Sequence, residues 1–481
     1  MFELILKKIK DWSLSKEEKE LFFNRGFKTT KKSNNIILIQ CPKDLYWFEK
    51  IEEIAKCYRN HIIQGVVPKI RYPKTQYIII YVIELIYKLN DLLLKRKWEK
   101  IYSNLEIVKF YGPSFFKIKM KQKNFLLAYK YYKTINSKEE LLNHKFKGIK
   151  CGDLIYDSYI RFSKKPTVNI QDFNLIFYIA DCYNHIEYYV DLVNNTNVCA
   201  YFSTYSTYIA HGIPVRVFLK FGIKTYTFGY FREENFHFKM KELNCRDTTQ
   251  VKPYWNFKNI FDSFEEKDKY AALGYKQFGK RFKGFNDLSY MKKNQYSYGY
   301  ESPPFNYLLD GVVFIGDFFD SQHIYGSMVF NDLYEWLIFT IELVLKNNLN
   351  IGFKEHPNQL EGSKKIIKEI KNKYPNLVWI DAEISNNIIF KSGIKYGISV
   401  YGSVLQELAY NNILPISCAE NPTSSFDFVF EAKTKLEYKK LILNHFDLKQ
   451  PGDIERQIGA FYYMYHIYDK FQFNIKRKLT N

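Results

Sequence analysis

The segment from Lys354 to Pro422 limits the possible folds more than any other. A strand-like run closes on Lys354-Glu355-His356-Pro357-Asn358. Further on, the apolar run Tyr396-Gly397-Ile398-Ser399-Val400 meets Tyr401-Gly402-Ser403 and then Val404-Leu405-Gln406-Glu407. Strand, glycine-bearing turn and helix in that order leave the first N–H groups of the helix facing whatever lies beyond the carboxyl end of the strand, and anions bind there. Glu407 follows Ser403 by one helical turn, a spacing from which a carboxylate can accept hydrogen bonds from the two vicinal hydroxyls of a ribose. A phosphate site beside a sugar site is half of a nucleotide-binding α/β domain. The plainer reading stays open: a parallel-sheet domain in which Gly402 only permits a tight turn and Glu407 is a solvated helix residue.

The rest of the chain alternates between strand-like and helix-like segments without a repeat, which predicts an α/β architecture. In the first part the pattern predicts strands at 35–40, 197–203 and 224–228. Helices are predicted at 45–57, 77–96, 171–193, 208–221 (with Pro214 near its first turn) and 265–281. The polar and aromatic stretch 283–304, with its Gly and Pro residues, reads as a connection between domains. The second part opens with the buried strand 312–316 and the loop Asp317-Phe318-Phe319-Asp320-Ser321-Gln322-His323-Ile324-Tyr325-Gly326. Asp332 and Glu335 form a capping box for a helix running to Lys346. Strands at 350–354, 377–381, 396–400 and 414–417 then alternate with helices at 363–373, from Asn386, and at 403–410, as in a doubly wound sheet. Ligands of such sheets bind at the carboxyl ends of the strands. The expected division is 1–305, 306–445, and a helical tail, 446–481, packing back on the first part.

Charge divides along the same line. Residues 311–445 hold 13 Lys and Arg against 15 Asp and Glu, a net of −2, whereas the remainder holds 58 against 36, a net of +22. So basic a region suits an anionic partner such as a phospholipid surface or a lipid-pyrophosphate carrier. Nucleic acid is not expected, because no zinc spacing, RRM signature or basic zipper is present. The 41 Tyr and 41 Phe, with abundant Lys, Ile and Asn, point to a general compositional bias, so single aromatic or basic residues carry little weight. The seven scattered cysteines form no C-x-x-C pair and suggest reduced thiols in a cytoplasmic protein. Met1 to Lys8 lacks the order of a secretory signal. The most apolar run, 77–87, is far short of the roughly 20 residues needed to span a bilayer. Surface attachment is compatible with Phe2, Leu6, Ile9 and Trp12 sharing one side of an N-terminal helix among Lys7, Lys8 and Lys10.

With these segments in place the chain resembles the GT-B glycosyltransferases, especially bacterial enzymes that build capsule and other surface polysaccharides. The resemblance rests on DFFDSQHIYG (317–326), KEHPN (354–358) and GISVYGSVLQELAYNNILPIS (397–417), with CGDLIYDSYIR (151–161) and AHGIPVRVFLKFG (210–222) in the first half. It covers residues 150–445 and is strongest from 312 onward. The His-Pro turn followed by a serine-bearing turn is also similar to the donor site of transferases that use CMP-linked sugars of the sialic acid and Kdo type. The fold implied is two Rossmann-type doubly wound domains facing a cleft, with the nucleotide sugar, CMP- or UDP-linked, on the second domain. A glycan or lipid-linked acceptor would lie on the first.

The resemblance further implies a donor site of Asp320, His323, Lys354, His356, Pro357, Asn358, Ser399, Tyr401, Gly402, Ser403 and Glu407. In it His356 touches phosphate or ribose, Ser399, Gly402 and Ser403 bind phosphate, Glu407 takes the ribose, and Asp320 and His323 close over the donor. Neither a metal nor another cofactor is implied. Transfer also needs a base or nucleophile near the acceptor. Asp153 and Asp157, four apart and on one face if their segment is helical, are the candidates, with Arg161, His211 and Arg216 as cleft residues. A CDP-alditol phosphotransferase of the teichoic-acid type and a non-catalytic sugar-nucleotide-binding assembly module remain alternatives.

Overall fold

The computed structural model describes residues 34–42, 45–67, 98, 100–113, 118–227, 239–242, 253–285, 296, 300–468 and 472–474. The helix expected at 77–96 and the amphipathic N-terminal helix lie outside them, as does most of 286–299. Two sheets organise the chain. In the first, strands β1 (Ile36–Gln40), β2 (Ile62–Val66), β3 (Phe110–Tyr111), β6 (Val198–Ser203), β7 (Lys224–Thr227), β8 (Lys239–Glu242) and β15 (Gln472–Asn474) lie in the order β15-β8-β7-β6-β1-β2-β3. The pairs from β7 through β3 are parallel, and β8 and β15 add an antiparallel margin. A short hairpin, β4 (Lys145–Phe146) with β5 (Ile149–Lys150), stands apart.

The second sheet comprises β9 (Gly311–Phe314), β10 (Ile351–Lys354), β11 (Val378–Ile380), β12 (Tyr396–Ile398), β13 (Leu414–Ser417) and β14 (Phe430–Glu431), ordered β11-β10-β9-β12-β13-β14 with every pair parallel. Both sheets thus place their first strand in the middle, run outward through the second and third, and reverse to continue on the other side. This is the Rossmann-type order. The reversal falls between β1 and β6 in one sheet and between β9 and β12 in the other. Strand order opens a crevice there, at the carboxyl ends.

Alternation along the strands explains why both faces are covered. In β9, Val313 packs with Trp336, Leu337, Ile341, Ile367 and Ile370 on one face, while Val312 and Phe314 pack with Ile389, Phe390 and Leu408 on the other. In β1, Leu38 faces the core of the helices Gly152–Ser163, Leu175–Asn195 and Ile213–Lys220, and Ile37 and Ile39 face the helix Leu45–Cys57. The cap at Asp332 forms as expected, its side chain accepting from the N–H of Glu335 at 2.8 Å. Within the helix that follows, Trp336 is fully buried and donates its indole N–H to Tyr438 at 2.8 Å.

The C-terminal helix Ile454–Tyr462 lies against the helix Lys267–Gly279 so closely that a Cβ at Gly274 would come within 2.0 Å of the Gly459 carbonyl oxygen. Only glycine permits that approach. Beyond the helix, β15 returns to the edge of the first sheet. Among the described residues no helix is long and apolar enough to cross a membrane. The six described cysteines are free thiols.

Candidate functional site

The two sheets meet along a seam that joins residues 138–167 to 319–335. Tyr156 donates to Asp332 at 2.5 Å, Thr167 donates to the same oxygen at 2.5 Å, and Lys138 reaches Glu335 at 2.6 Å. Arg161, expected to contact substrate, instead donates Nη1 to the Phe319 carbonyl at 3.0 Å. His323 was expected to close over a donor, but its ring is fully used: Nδ1 faces Asp157 Oδ1 at 2.7 Å and Nε2 faces the Asn331 carbonyl at 3.0 Å. Acceptors at both nitrogens require protons on both. Burial opposes that charge, but Asp157, with Asp153 behind it, outweighs burial and raises the His323 pKa above the ordinary histidine value. The backbone N–H of His323 also donates to Asp157, at 3.3 Å. Burial raises the Asp157 pKa in turn, against the pull of His323, so the two groups hold one buried proton between them across the seam, and with Asp157 ionised they are an interdomain ion pair.

Asp153 and Asp157 do share the helix Gly152–Ser163, one turn apart, but neither is free to act as a base. Arg216 grips both oxygens of Asp153 at 2.6 Å and also donates to the Lys150 carbonyl at 2.9 Å. Burial would raise the Asp153 pKa, yet Arg216 more than offsets this and holds it below the ordinary carboxylate value. Arg216 is accordingly a structural partner and not a cleft residue.

Several donor-site expectations change in the same way. Lys354 is 2% exposed and donates to the carbonyls of Glu355, Asp381 and Ala382 at 3.2, 3.0 and 3.0 Å. Burial pushes its pKa down to about 8, and its three N–H groups fasten the ends of β10 and β11 together. Glu407 accepts from Arg281 at 2.9 Å, Ser403 at 3.1 Å, Tyr296 at 2.9 Å and Asn386 at 3.4 Å. Four donors occupy the carboxylate that was expected to take a ribose, and Ser403 spends its hydroxyl on it. Ser399 directs its hydroxyl at the Phe314 and Tyr401 carbonyls, both at 3.1 Å, tying β12 to β9 across the reversal.

Other groups at this second crevice remain unpaired. His356 accepts the Asn358 N–H on Nδ1 at 3.1 Å, with Pro357 holding the turn between them. Its ring is open to solvent, yet protein walls it in on most sides. That desolvation lowers its pKa despite Asp317 nearby, so the ring is neutral with its proton on Nε2. Nε2–H meets no described acceptor. Gly402 adopts φ +123°, a conformation favouring glycine, and the N–H groups of Gly402 and Ser403 make no hydrogen bond among the described residues. The Tyr401 hydroxyl and both amide atoms of Gln359 are buried without a described partner. Exposed Asp320 accepts only the Ser321 N–H, at 2.9 Å on Oδ1, and leaves Oδ2 open.

Sequence reading missed Tyr208. It is half-buried at φ 58°, a left-handed conformation costing a bulky residue about 1–2 kcal/mol, and it starts a single π-helical turn, Tyr208–Gly212. Burial raises its hydroxyl pKa, and the charges that act on it are Asp320, Arg161 and Asp157. Tyr401 shares Asp320 and Asp157 as neighbours and has Tyr208 among its own. The segment after β6 therefore faces the crevice of the other sheet. At its far end His211 lies buried beside Gln40 at 3.0 Å, and burial takes its pKa down to about 4. Among the described residues, no cluster of three or more His, Cys, Asp or Glu is placed to hold a metal ion.

No family model matches the sequence, and no curated protein matches it. Among solved structures the chain is similar to Thermosulfurimonas dismutans KpsC, a beta Kdo 2,4 transferase, at 11% identity and a TM-score of 0.35 over 55% of this chain and 78% of that one. It is similar to the Methanocaldococcus jannaschii UDP-GlcNAc 2-epimerase bound to UDP-GlcNAc and UDP at 10% identity and a TM-score of 0.27, over 89% and 98%. S. aureus MnaA with UDP follows at 8% identity and a TM-score of 0.24, over 90% and 91%. The fold assignment, two Rossmann-type sheets across a cleft, rests on the strand order itself.

Proposed function

We propose that the chain is a glycosyltransferase that moves a sugar from a nucleotide-sugar donor, CMP-linked by preference and UDP-linked as the second choice, to a bacterial surface glycan or lipid-linked acceptor. The observation that carries this reading is the set of unpaired donors at the β9–β12 reversal: His356 Nε2–H, the N–H groups of Gly402 and Ser403, and the Tyr401 hydroxyl. Donors gathered without a counter-acceptor suit an anion, and a nucleotide phosphate is the anion that crevices of this topology take. In this reading residues 306–445 hold the donor, 1–305 the acceptor, and 446–481 brace the two.

Asp320 is the carboxylate that faces both sides. As the acceptor oxygen bonds to the anomeric carbon, the bond from that carbon to the phosphate oxygen breaks and its electron pair leaves with the nucleotide. Asp320 takes the acceptor proton. His356 Nε2–H and the backbone N–H groups stabilise the charge growing on the phosphate.

A melting-temperature screen of CMP, CDP, UDP and GDP tests the donor half. A nucleotide at 100 times its dissociation constant stabilises the fold by about 2.7 kcal/mol. The expected result is a rise with CMP or UDP that His356→Ala diminishes. No rise with any of the four nucleotides removes the proposal.

A further inference from the structure

The first sheet has a crevice of its own, and its chemistry differs. Ile39 pairs with Phe202, so β1 and β6 end side by side at the reversal, with Gln40 closing one strand and Ser203 and Thr204 the other. Gln40 is 0% exposed. Its Oε1 accepts the Thr204 backbone N–H at 3.0 Å, and a backbone N–H can only donate, so the orientation of the amide is fixed. The Thr204 hydroxyl points to the same oxygen, whereas Ser203, 3.3 Å from it, makes its shorter bond to the Tyr205 carbonyl at 2.5 Å. His211 Nδ1 lies 3.0 Å from it and must therefore donate, which leaves Nε2 of a neutral imidazole as an acceptor.

Two groups are left over. Gln40 Nε2, a donor, is buried with no partner among the described residues, and His211 Nε2, an acceptor, meets none either. The buried His185 Nε2 is also unpartnered and lies within electrostatic reach of His211. Among the described residues no cation is a hydrogen-bond partner of Gln40, Thr204 or His211, and Arg216, on the helix that follows His211, is committed to Asp153. These described groups therefore offer an anion no charged donor. A hydroxyl group, which both accepts and donates, fits one nitrogen with its oxygen and the other with its hydrogen.

We propose that the crevice between β1 and β6 binds the hydroxyl groups of an uncharged sugar ring, so that the acceptor residue entering the cleft is a neutral sugar even though the surrounding half of the protein is basic. This rests on the glycosyl-transfer reading, which supplies the need for an acceptor. The strained turn beginning at Tyr208 joins this crevice to the donor side, since His211 lies within that turn.

The test is saturation-transfer NMR on the full chain with two sets of probes: neutral methyl hexosides, and the charged pair methyl glucuronide and methyl sialoside. Two variants separate the roles. Gln40→Glu keeps an oxygen for Thr204 and His211 and replaces the amide donor with an acceptor that carries charge when ionised. His211→Asn keeps a donor toward Gln40 and removes Nε2. Neutral glycosides are expected to bind and charged ones not, with each variant weakening binding about tenfold or more. The melting shift produced by nucleotide should stay as in the parent protein, which also shows that the variants are folded.

Undiminished glycoside binding in both variants overturns the proposal, as does preference for the charged sugars. Absence of any glycoside binding in protein that still binds nucleotide also overturns it and makes the partner of Gln40 a structural water. Neutral glycosides that bind with this variant signature, in protein that no nucleotide stabilises, would uphold the crevice as a sugar site while removing the glycosyl-transfer reading.

Discussion

The two crevices share a strand order and almost nothing else. At the β9–β12 reversal the open groups are His356, Asp320 and the backbone of Gly402 and Ser403, and they are reached from solvent. At the β1–β6 reversal the open groups are a buried amide and a buried neutral imidazole. Topology decides where a ligand can sit in each half. Side chains decide what it can be: in the readings proposed above, an anion in one half and an uncharged polar group in the other. Between the crevices runs a seam of buried ion pairs and carboxylate hydrogen bonds, and much that resembled catalytic machinery in the sequence belongs to that seam.

The sharpest way to break this comparison is Asp320→Asn. If Asp320 serves both halves as the proton acceptor, the substitution should lower kcat roughly 100- to 10,000-fold while nucleotide affinity holds. Its carboxylate is exposed, so the melting temperature should stay put. Activity near that of the parent would move the base elsewhere and leave the two crevices without a shared residue.

Arg281→Leu examines whether Glu407 is structure or site. Arg281 and Glu407 have side chains 1% and 4% exposed, and removing the cation leaves a buried carboxylate without its charge partner. The expected loss is about 3–5 kcal/mol of stability, read from the denaturant midpoint. Glu407→Gln should likewise lower the midpoint. A Glu407→Gln protein that unfolds like the parent but shows a raised KM for donor would restore the carboxylate to the ribose.

The seam itself is pH-dependent. Contact with Asp157 raises the pKa of His323 in the folded protein above its unfolded value, so the folded state holds that proton more tightly. The stabilisation is complete below the unfolded histidine value, about 6.5, and is lost as pH rises through the folded one. A melting-temperature series should therefore show the gap between parent and His323→Gln protein widest in mild acid and shrinking toward alkaline pH. A gap that stays constant or widens with pH would mean that His323 is neutral and the pair is an ordinary hydrogen bond.

How much of this was legible in the sequence depended on how local the cause was. The strands and helices of the second sheet follow from apolar runs and caps within a few residues, and 414–417 is found where it was expected. The first sheet was harder. β2 carries Gln64 and Gly65, and β3 is two residues long, so neither shows an apolar run, and the helix Ile118–Thr134 is lysine-rich with a weak period. The candidate site divides in the same way. The local geometry at His356 and Gly402 is as read, because a His-Pro turn and a positive-φ glycine are properties of neighbouring residues. The hydrogen bonds of Glu407, Asp153 and Lys354 were not legible, because their partners, Arg281, Arg216 and the Asp381 carbonyl, come from distant stretches that no spacing rule connects. Tyr208 left no sequence signal except its place between a strand and a proline-bearing helix start.

The smallest effect, residue for residue, concerns the charge contrast between the halves. The helix Ile118–Thr134 contains no acidic residue, and it exposes Lys123, Lys130 and Lys133 along one side with Leu126 and Tyr129. Its C-terminal end leads within four residues to Lys138, which bonds to Glu335 across the seam, so this basic face lies near the cleft. If an anionic, lipid-linked acceptor is held there at a membrane, each lysine should contribute on the order of 1 kcal/mol to vesicle binding. The attraction fades beyond a Debye length of about 10 Å at 0.1 M salt. Co-sedimentation should then show binding to anionic vesicles and none to neutral ones, reversal by moderate salt, and a clear loss when the three lysines are changed to glutamine. Binding that is indifferent to those lysines would place the membrane contact on another face. Failure to bind either vesicle would reduce the excess of +22 to composition and make the acceptor a soluble glycan, which the neutral crevice around Gln40 would accommodate unchanged.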